Sequence, residues 1–149
     1  MPQSSYGERI AAIRAILQQE AFQEKLRSKS VEIHPGEDGR GNFVIKTPGL
    51  TFVKPDDKPR GIVFRDHSFL VLYEKWSKKD NCILSYKYHY QRTDAENCFL
   101  RYDMEEWEQA DHPKHHLQVS PLSKNIRLPT GEVHCEDVLM AIIAQKFVL

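Results

Sequence analysis

Two stretches of the chain combine residue types that can act on a phosphodiester. In the first, Lys87, His89 and Gln91 alternate with Tyr86, Tyr88 and Tyr90, and Arg101 and Asp103 follow at the same two-residue spacing. The second is His112-Pro113-Lys114-His115-His116, with three imidazoles and a lysine within five residues. An imidazole titrates near neutrality, so it can give or take a proton. Arginine and lysine hold phosphate oxygens and stabilise the charge that grows in the transition state. A tyrosine stacks on a base or donates a hydrogen bond to it. Cleavage of RNA without a metal needs this set: a base for the 2′-hydroxyl, an acid for the leaving oxygen, and cations on the phosphate. The expected acid–base pair is His89 with one loop histidine. Arg101 and Lys87 bind phosphate, Tyr88 or Tyr90 positions a base, and Gln91, His112 and Lys114 are further substrate contacts. No cofactor is called for.

Each feature also has a plainer reading. Charged residues alternating along a strand are the normal outer face of a sheet. Adjacent histidines can ligate zinc, but no second ligand pair at fixed spacing accompanies them, and Cys82, Cys98 and Cys135 are scattered. Lys75, Lys78, Lys79, Lys87 and Arg92, with Trp76 and the tyrosines nearby, read either as a nucleic-acid track or as a turn that keeps a hairpin soluble. His134 and Cys135 read as a helix cap.

Whether the first cluster converges depends on register. A symmetric pairing about Asp94-Ala95 sets Arg101 opposite Tyr88, on the tyrosine side. A bulge or an odd loop sets Arg101 beside His89. The apolar pattern favours the second, because Cys98, Leu100 and Tyr102 then join the tyrosine face.

The elements that must position these residues follow from periodicity. Residues 5–28 read as a helix, with Ile10, Ile13, Leu17 and Ala21 at three- and four-residue steps and Phe22 and Leu26 continuing a drifting stripe. Ser4 or Ser5 caps its start. The segment 34–41 has three glycines and a proline and reads as a loop. Residues 43–46 and 50–53 are weak strands with a turn between them, and 55–59 is a break. Stronger strands follow at 61–65, 69–76, 82–92 and 97–103, separated by turns at 66–68, 77–81 and 93–96. In the third of these, Cys82, Leu84, Tyr86, Tyr88 and Tyr90 point one way and Ser85, Lys87, His89 and Gln91 the other. No helical segment separates these strands, so they form an antiparallel meander. Residues 104–129 read as a His-containing loop, and long loops inside compact domains are often functional. Residues 136–146 read as a helix that buries Val138, Leu139, Ile142 and Ile143, with Glu136 and Asp137 in its first turn and Lys146 in its last, matching the helix dipole. The expected fold is α+β: a meander of four to six strands, mainly within 43–103, between an N-terminal helical segment (1–30) and a C-terminal helix (135–147).

The chain has 149 residues, the usual size of one domain, with 40% hydrophobic and 28% charged residues, so it can bury a core. Its 21 basic and 21 acidic residues cancel, which neither favours nor excludes a nucleic-acid partner, since binding depends on a local patch. The odd cysteine count argues against a disulfide framework and for a reducing cytoplasm. Residues 1–10 have no apolar run of the signal-peptide kind, and no run is long enough to span a membrane. The phosphate-loop, dinucleotide, serine-hydrolase and zincin motifs are absent, so those chemistries have no support.

Tyr88-His89-Tyr90-Gln91, Phe99-Leu100-Arg101-Tyr102-Asp103, the His-rich run from Asp111 to His116, Leu128-Pro129-Thr130 and a closing helix resemble the TumE-type toxins of bacterial toxin–antitoxin pairs. The resemblance covers roughly 69–143. It implies a small cytoplasmic toxin that slows growth by attacking RNA and is silenced by a cognate antitoxin. By motif match it implies His89, Arg101, Asp103, His115 and His116 as the functional positions. The chain departs from the pattern at 104–111, which is longer than expected and carries Glu105, Glu106, Glu108 and Asp111, acids that could repel RNA. Two other classes stay open: a non-enzymatic interaction domain of the antitoxin or immunity type, and a zinc-binding domain built on the loop histidines. Whether the chain forms a homodimer is also open.

Overall fold

Ser5 starts the first helix with a reciprocal cap: its hydroxyl accepts from the Glu8 N–H (3.2 Å), and the Glu8 carboxylate accepts from the Ser5 N–H (3.1 Å). The structure, a computed structural model, describes residues 5–27, 33–47, 61–92, 99–105, 113–119 and 128–144. Helix α1 (Tyr6–Leu17) is followed by one further turn, α2 (Glu20–Gln23). The two are separate because Gln19 is extended (φ −62°, ψ 139°). That break resets the helical phase, which explains the drift in the apolar stripe. Ile13, Leu17, Phe22 and Leu26 are buried, whereas Ala21, expected in the stripe, is exposed.

The described strands are β1 (His34–Glu37), β2 (Asn42–Lys46), β3 (Ile62–Val63), β4 (Phe69–Ser77), β5 (Cys82–Gln91), β6 (Phe99–Met104), β7 (His115–Val119) and β8 (Leu128–Pro129). They form one antiparallel sheet in the order β1-β2-β4-β5-β6-β7-β8, with β3 also paired to β4. The sheet therefore has more strands than the expected four to six, for two reasons. The segment 34–41, expected as a loop, is half strand: His34–Glu37 pairs along β2, and the Asp38 carboxylate closes the turn by accepting from the Arg40 and Asn42 N–H groups. The expected loop 104–129 contains β7 and β8, which extend the meander past β6. The expected strand at 50–53, the turn at 93–96, Cys98 and His112 lie outside the described residues.

One face of the sheet is covered by α1, α2 and the last helix, α3 (Cys135–Ile143). The core between them holds Ile13, Leu17, Phe22, Leu70, Leu72, Tyr86, Tyr88, Tyr90, Val138, Leu139 and Ile142, with Tyr102 against its edge. The alternation of β5 is thus obeyed from Tyr86 to Gln91. Below Tyr86 the ladder slips by one residue between Lys75 and Trp76, so that Ile83 rather than Leu84 packs against the core.

A charged network lies within this core. Glu74, 1% exposed, accepts from the Tyr88 hydroxyl (2.6 Å), the Arg9 guanidinium (2.7 Å) and the Trp76 indole (3.0 Å). Arg9 also pairs with Glu136 at the start of α3. Arg9 sits one turn before Ile13 on the buried face of α1, so the network ties that helix to β4 and to α3. Removing one partner of such a buried group strands the other. Glu74→Ala is expected to cost about 3–5 kcal/mol in urea unfolding; a loss below about 1 kcal/mol would show that the network does not hold the helices.

Candidate functional site

The face of the sheet opposite the helices carries the residues singled out for chemistry, and strand register sets them in rows. Gln91 pairs with Phe99, His89 with Arg101, and Lys87 with Asp103, so Arg101 lies beside His89, the register that the apolar pattern favours. Carried across the neighbouring strands, one row runs Lys46, Tyr73, Lys87, Asp103, His116. The next runs Val71, His89, Arg101, Gln118, and a third runs Phe69, Gln91, Phe99. Side chains in a row point to the same side because cross-strand partners share a face. A cavity of about 310 Å³ opens over these rows, lined by Tyr73, Lys87, Arg101, Asp103, Glu105, His116 and Gln118 among others.

This is not an ordinary solvated outer face. His89 and His116 are each 1% exposed, Gln91 2% and Asp103 7%. The His89 ring stacks on Phe99 (centroids 5.1 Å apart) and lies 6.3 Å from Phe69. The Arg101 guanidinium lies over the Phe99 ring, 5.5 Å from its centroid. His89 Nδ1 accepts from Arg101 Nε at 2.9 Å, and its Nε2 is 2.8 Å from Gln91 Oε1. An arginine N–H can only donate and an amide oxygen can only accept, so the ring carries its proton on Nε2 and is neutral. Burial, and then the nearby Arg101 charge, push its pKa down to about 4. His89 thus fixes the guanidinium in place, and neither of its nitrogens is open in this arrangement.

His116 is set the opposite way. Its Nδ1 is 2.9 Å from the Pro113 carbonyl, which can only accept, and its Nε2 is 3.5 Å from Asp103 Oδ2. Burial opposes the charge, but the hydrogen bonds to Asp103 and to the Pro113 carbonyl outweigh it and raise the pKa. The second carboxylate oxygen, Asp103 Oδ1, is buried and has no partner among the described residues. Such an oxygen is costly unless something is meant to meet it.

Not every expected site residue reaches this pocket. His115 and His116 are neighbours on a strand, so they point to opposite faces. On the helix side, His115 stacks against Tyr86, whose hydroxyl is hydrogen-bonded to His115 Nδ1 (2.9 Å) and accepts from the Val133 N–H (3.0 Å). The adjacent pair therefore does not aim at one common ion, and the described residues include no cluster of three metal-ligating side chains. Tyr88 and Tyr90 face the helix core. Trp76, read beside a lysine track, is 4% exposed and bonds Glu74. Gln91 contacts His89 and acts through it, and Lys114 is exposed. Tyr73, Glu105 and Gln118 were not singled out. Tyr73 shares the phase of Lys75 on β4, but that strand is too evenly apolar for its faces to be told apart before its pairing with β5 is known.

The family model described as Toxin TumE matches residues 33–146. The chain therefore belongs to the TumE toxin family. Membership makes it the toxin of a toxin–antitoxin system, with a cognate antitoxin as partner. The match runs from the residue before β1 to beyond α3, wider than the 69–143 that carries the sequence resemblance, and leaves α1 and α2 outside. No curated protein and no solved structure gives a significant match. Among the described residues no helix is long and apolar enough to cross a membrane.

The two buried imidazoles titrate in opposite directions, with opposite effects on stability. His89 is depressed when folded, so its contribution is complete above the ordinary histidine pKa near 6.5 and is lost as pH falls toward 4, by on the order of 3 kcal/mol. His116 is raised, so its contribution is complete below the ordinary value and is lost as pH rises through the folded one. An NMR titration of the imidazole nitrogens is expected to show His89 neutral to about pH 4 and His116 protonating above its ordinary range. Two rings titrating together near 6.5 would contradict this geometry.

Proposed function

We propose that the chain is an RNA-directed toxin that cleaves the phosphodiester backbone without a metal, in the pocket of Lys87, Arg101, Asp103 and His116. The observation that carries this reading is the set of rows that gathers two cations, a carboxylate and a raised imidazole over one cavity, with Arg101 held from behind by His89. Arg101 and Lys87 receive the non-bridging phosphate oxygens. Arginine suits this because its guanidinium presents N–H donors in a planar fork that matches phosphate oxygens. Asp103 Oδ1 takes the 2′-hydroxyl proton, and the 2′ oxygen attacks phosphorus. The bond to the 5′ oxygen breaks, and that oxygen takes the Nε2 proton of protonated His116, whose long 3.5 Å contact to Asp103 Oδ2 gives way as the substrate enters. The products are a 2′,3′-cyclic phosphate and a 5′-hydroxyl. A proton passed from Asp103 to His116, 3.5 Å away, resets the pair.

In this assignment His89 is a positioning residue and His116 carries the proton. Asp103 keeps the functional place that its motif implies, and His115 supports the fold on the other face. The acidic Glu105 at the pocket rim favours substrates that bring their own charge only to the Lys87–Arg101 side.

The test is growth arrest on induction, with decay of total RNA followed in parallel. Arg101→Ala is expected to abolish both, with a fall of at least about 100-fold in cleavage by the purified protein. Arg101→Lys is expected to fail nearly as badly, because lysine keeps the charge but cannot hold His89 and the phosphate together. Arrest and RNA decay that persist in Arg101→Ala would overturn the proposal. A stable complex with an unrelated enzyme and no RNA decay would favour a non-enzymatic interaction domain instead.

A further inference from the structure

On β2, β4 and β5 the one carboxylate and the cations of the pocket row lie on opposite faces. On β2, β4 and β5 the positions on the pocket side carry Lys46, Lys75 and Lys87 and no carboxylate. The one carboxylate of these strands, Glu74, points to the helices and is neutralised there by Arg9. Tyr73 stands between Lys46 and Lys87 in a single row, with Lys75 two residues further along its own strand. All of these side chains are half-buried, as long side chains are when their stems lie along a sheet and their heads reach outward. Strands lie about 4.8 Å apart, so Lys46 stands about 10 Å from Lys87, one strand beyond Tyr73 at the pocket wall.

We infer that this row is a binding track for single-stranded RNA, leading into the pocket from the β2 side, with Tyr73 stacking a base next to the reacting phosphate and Lys46 and Lys75 holding flanking phosphates. The inference rests on the RNA-cleaving reading of the pocket and adds to it the class of substrate and its path. A ring standing between cations on a sheet is an arrangement that suits unpaired nucleotides, because each base has a face to stack and each linkage a charge to place. A duplex cannot use Tyr73 in this way, since its bases are already stacked. The track keeps Lys75 and Lys87 of the cationic run legible in the sequence and departs from the rest of it: Lys78 pairs with Glu37 (3.2 Å) and lies over Phe43 at the far end of β4, and Trp76 is turned inward.

The experiment is fluorescence anisotropy with a labelled 12-nucleotide single-stranded RNA over a range of salt concentrations, at a pH where cleavage is slow. Each phosphate contact to a single strand contributes about 0.7 to the salt slope, so the double variant Lys46→Ala/Lys75→Ala is expected to lower the slope by about 1.4. Tyr73→Ala is expected to weaken binding about tenfold, and Tyr73→Phe to restore most of it, which separates stacking from a fold defect. An unchanged slope in the double variant, equal loss in Tyr73→Ala and Tyr73→Phe, or equal affinity for a duplex of the same length would each overturn the track. A wild-type chain that binds no RNA at any salt would instead overturn the reading of the pocket on which the track rests.

Discussion

The bond from Arg101 Nε to His89 Nδ1 is the interaction on which the functional geometry depends. It exists because β5 and β6 pair with His89 opposite Arg101. A slip of one residue would send Arg101 to the tyrosine side and bring Leu100 or Tyr102 out onto the pocket face, exchanging the roles of the two surfaces. The register is held from behind: Tyr86, Tyr88, Tyr90 and Tyr102 pack inward against the helices, so any slip would bury charge and expose rings. The core thus fixes the site through the sheet, and the site residues need not specify their own alignment.

Burial then gives each titrating group its character. His89 lies between Phe69 and Phe99 beside a permanent cation, and neutrality is the form that environment favours. His116 lies beside a carboxylate and donates to a carbonyl, and the cation is favoured. Two histidines on one face thus have their protonation equilibria shifted in opposite directions by their surroundings. The helix side obeys the same logic without a pocket: Glu74 gathers Arg9, Tyr88 and Trp76, and the result is cohesion between elements rather than chemistry.

Much of this arrangement is legible in the residues. The strict alternation of 85–91 and the apolar positions of β6 are enough to set His89, Arg101, Lys87 and Asp103 on one face. What could not be read has physical causes. β1 is written His-Pro-Gly-Glu, with two residues that disfavour strands, and it forms by pairing along β2, a long-range cause that its own residues do not announce. β7 is short and follows a proline, so its alternation is too brief to outweigh the reading of a loop, and the separation of His115 from His116 went with it. The burial of the polar face is invisible locally, because the same charged alternation serves a solvated strand. Arg9 reads as a solvated helix position, although its spacing from Ile13 and Leu17 places it on the buried face. The row through Lys46, Tyr73 and Lys87 needs the β2–β4 and β4–β5 pairings before it can be seen at all.

The most direct measurement is the chemistry of the cut ends. Purified protein is incubated with a defined single-stranded RNA in the presence of excess EDTA, and the termini of the fragments are identified by mass spectrometry. The account predicts fragments ending in a 2′,3′-cyclic phosphate paired with fragments beginning in a 5′-hydroxyl. Fragments bearing a 3′-hydroxyl and a 5′-phosphate, or RNA left intact by a folded protein that still arrests growth, would contradict it.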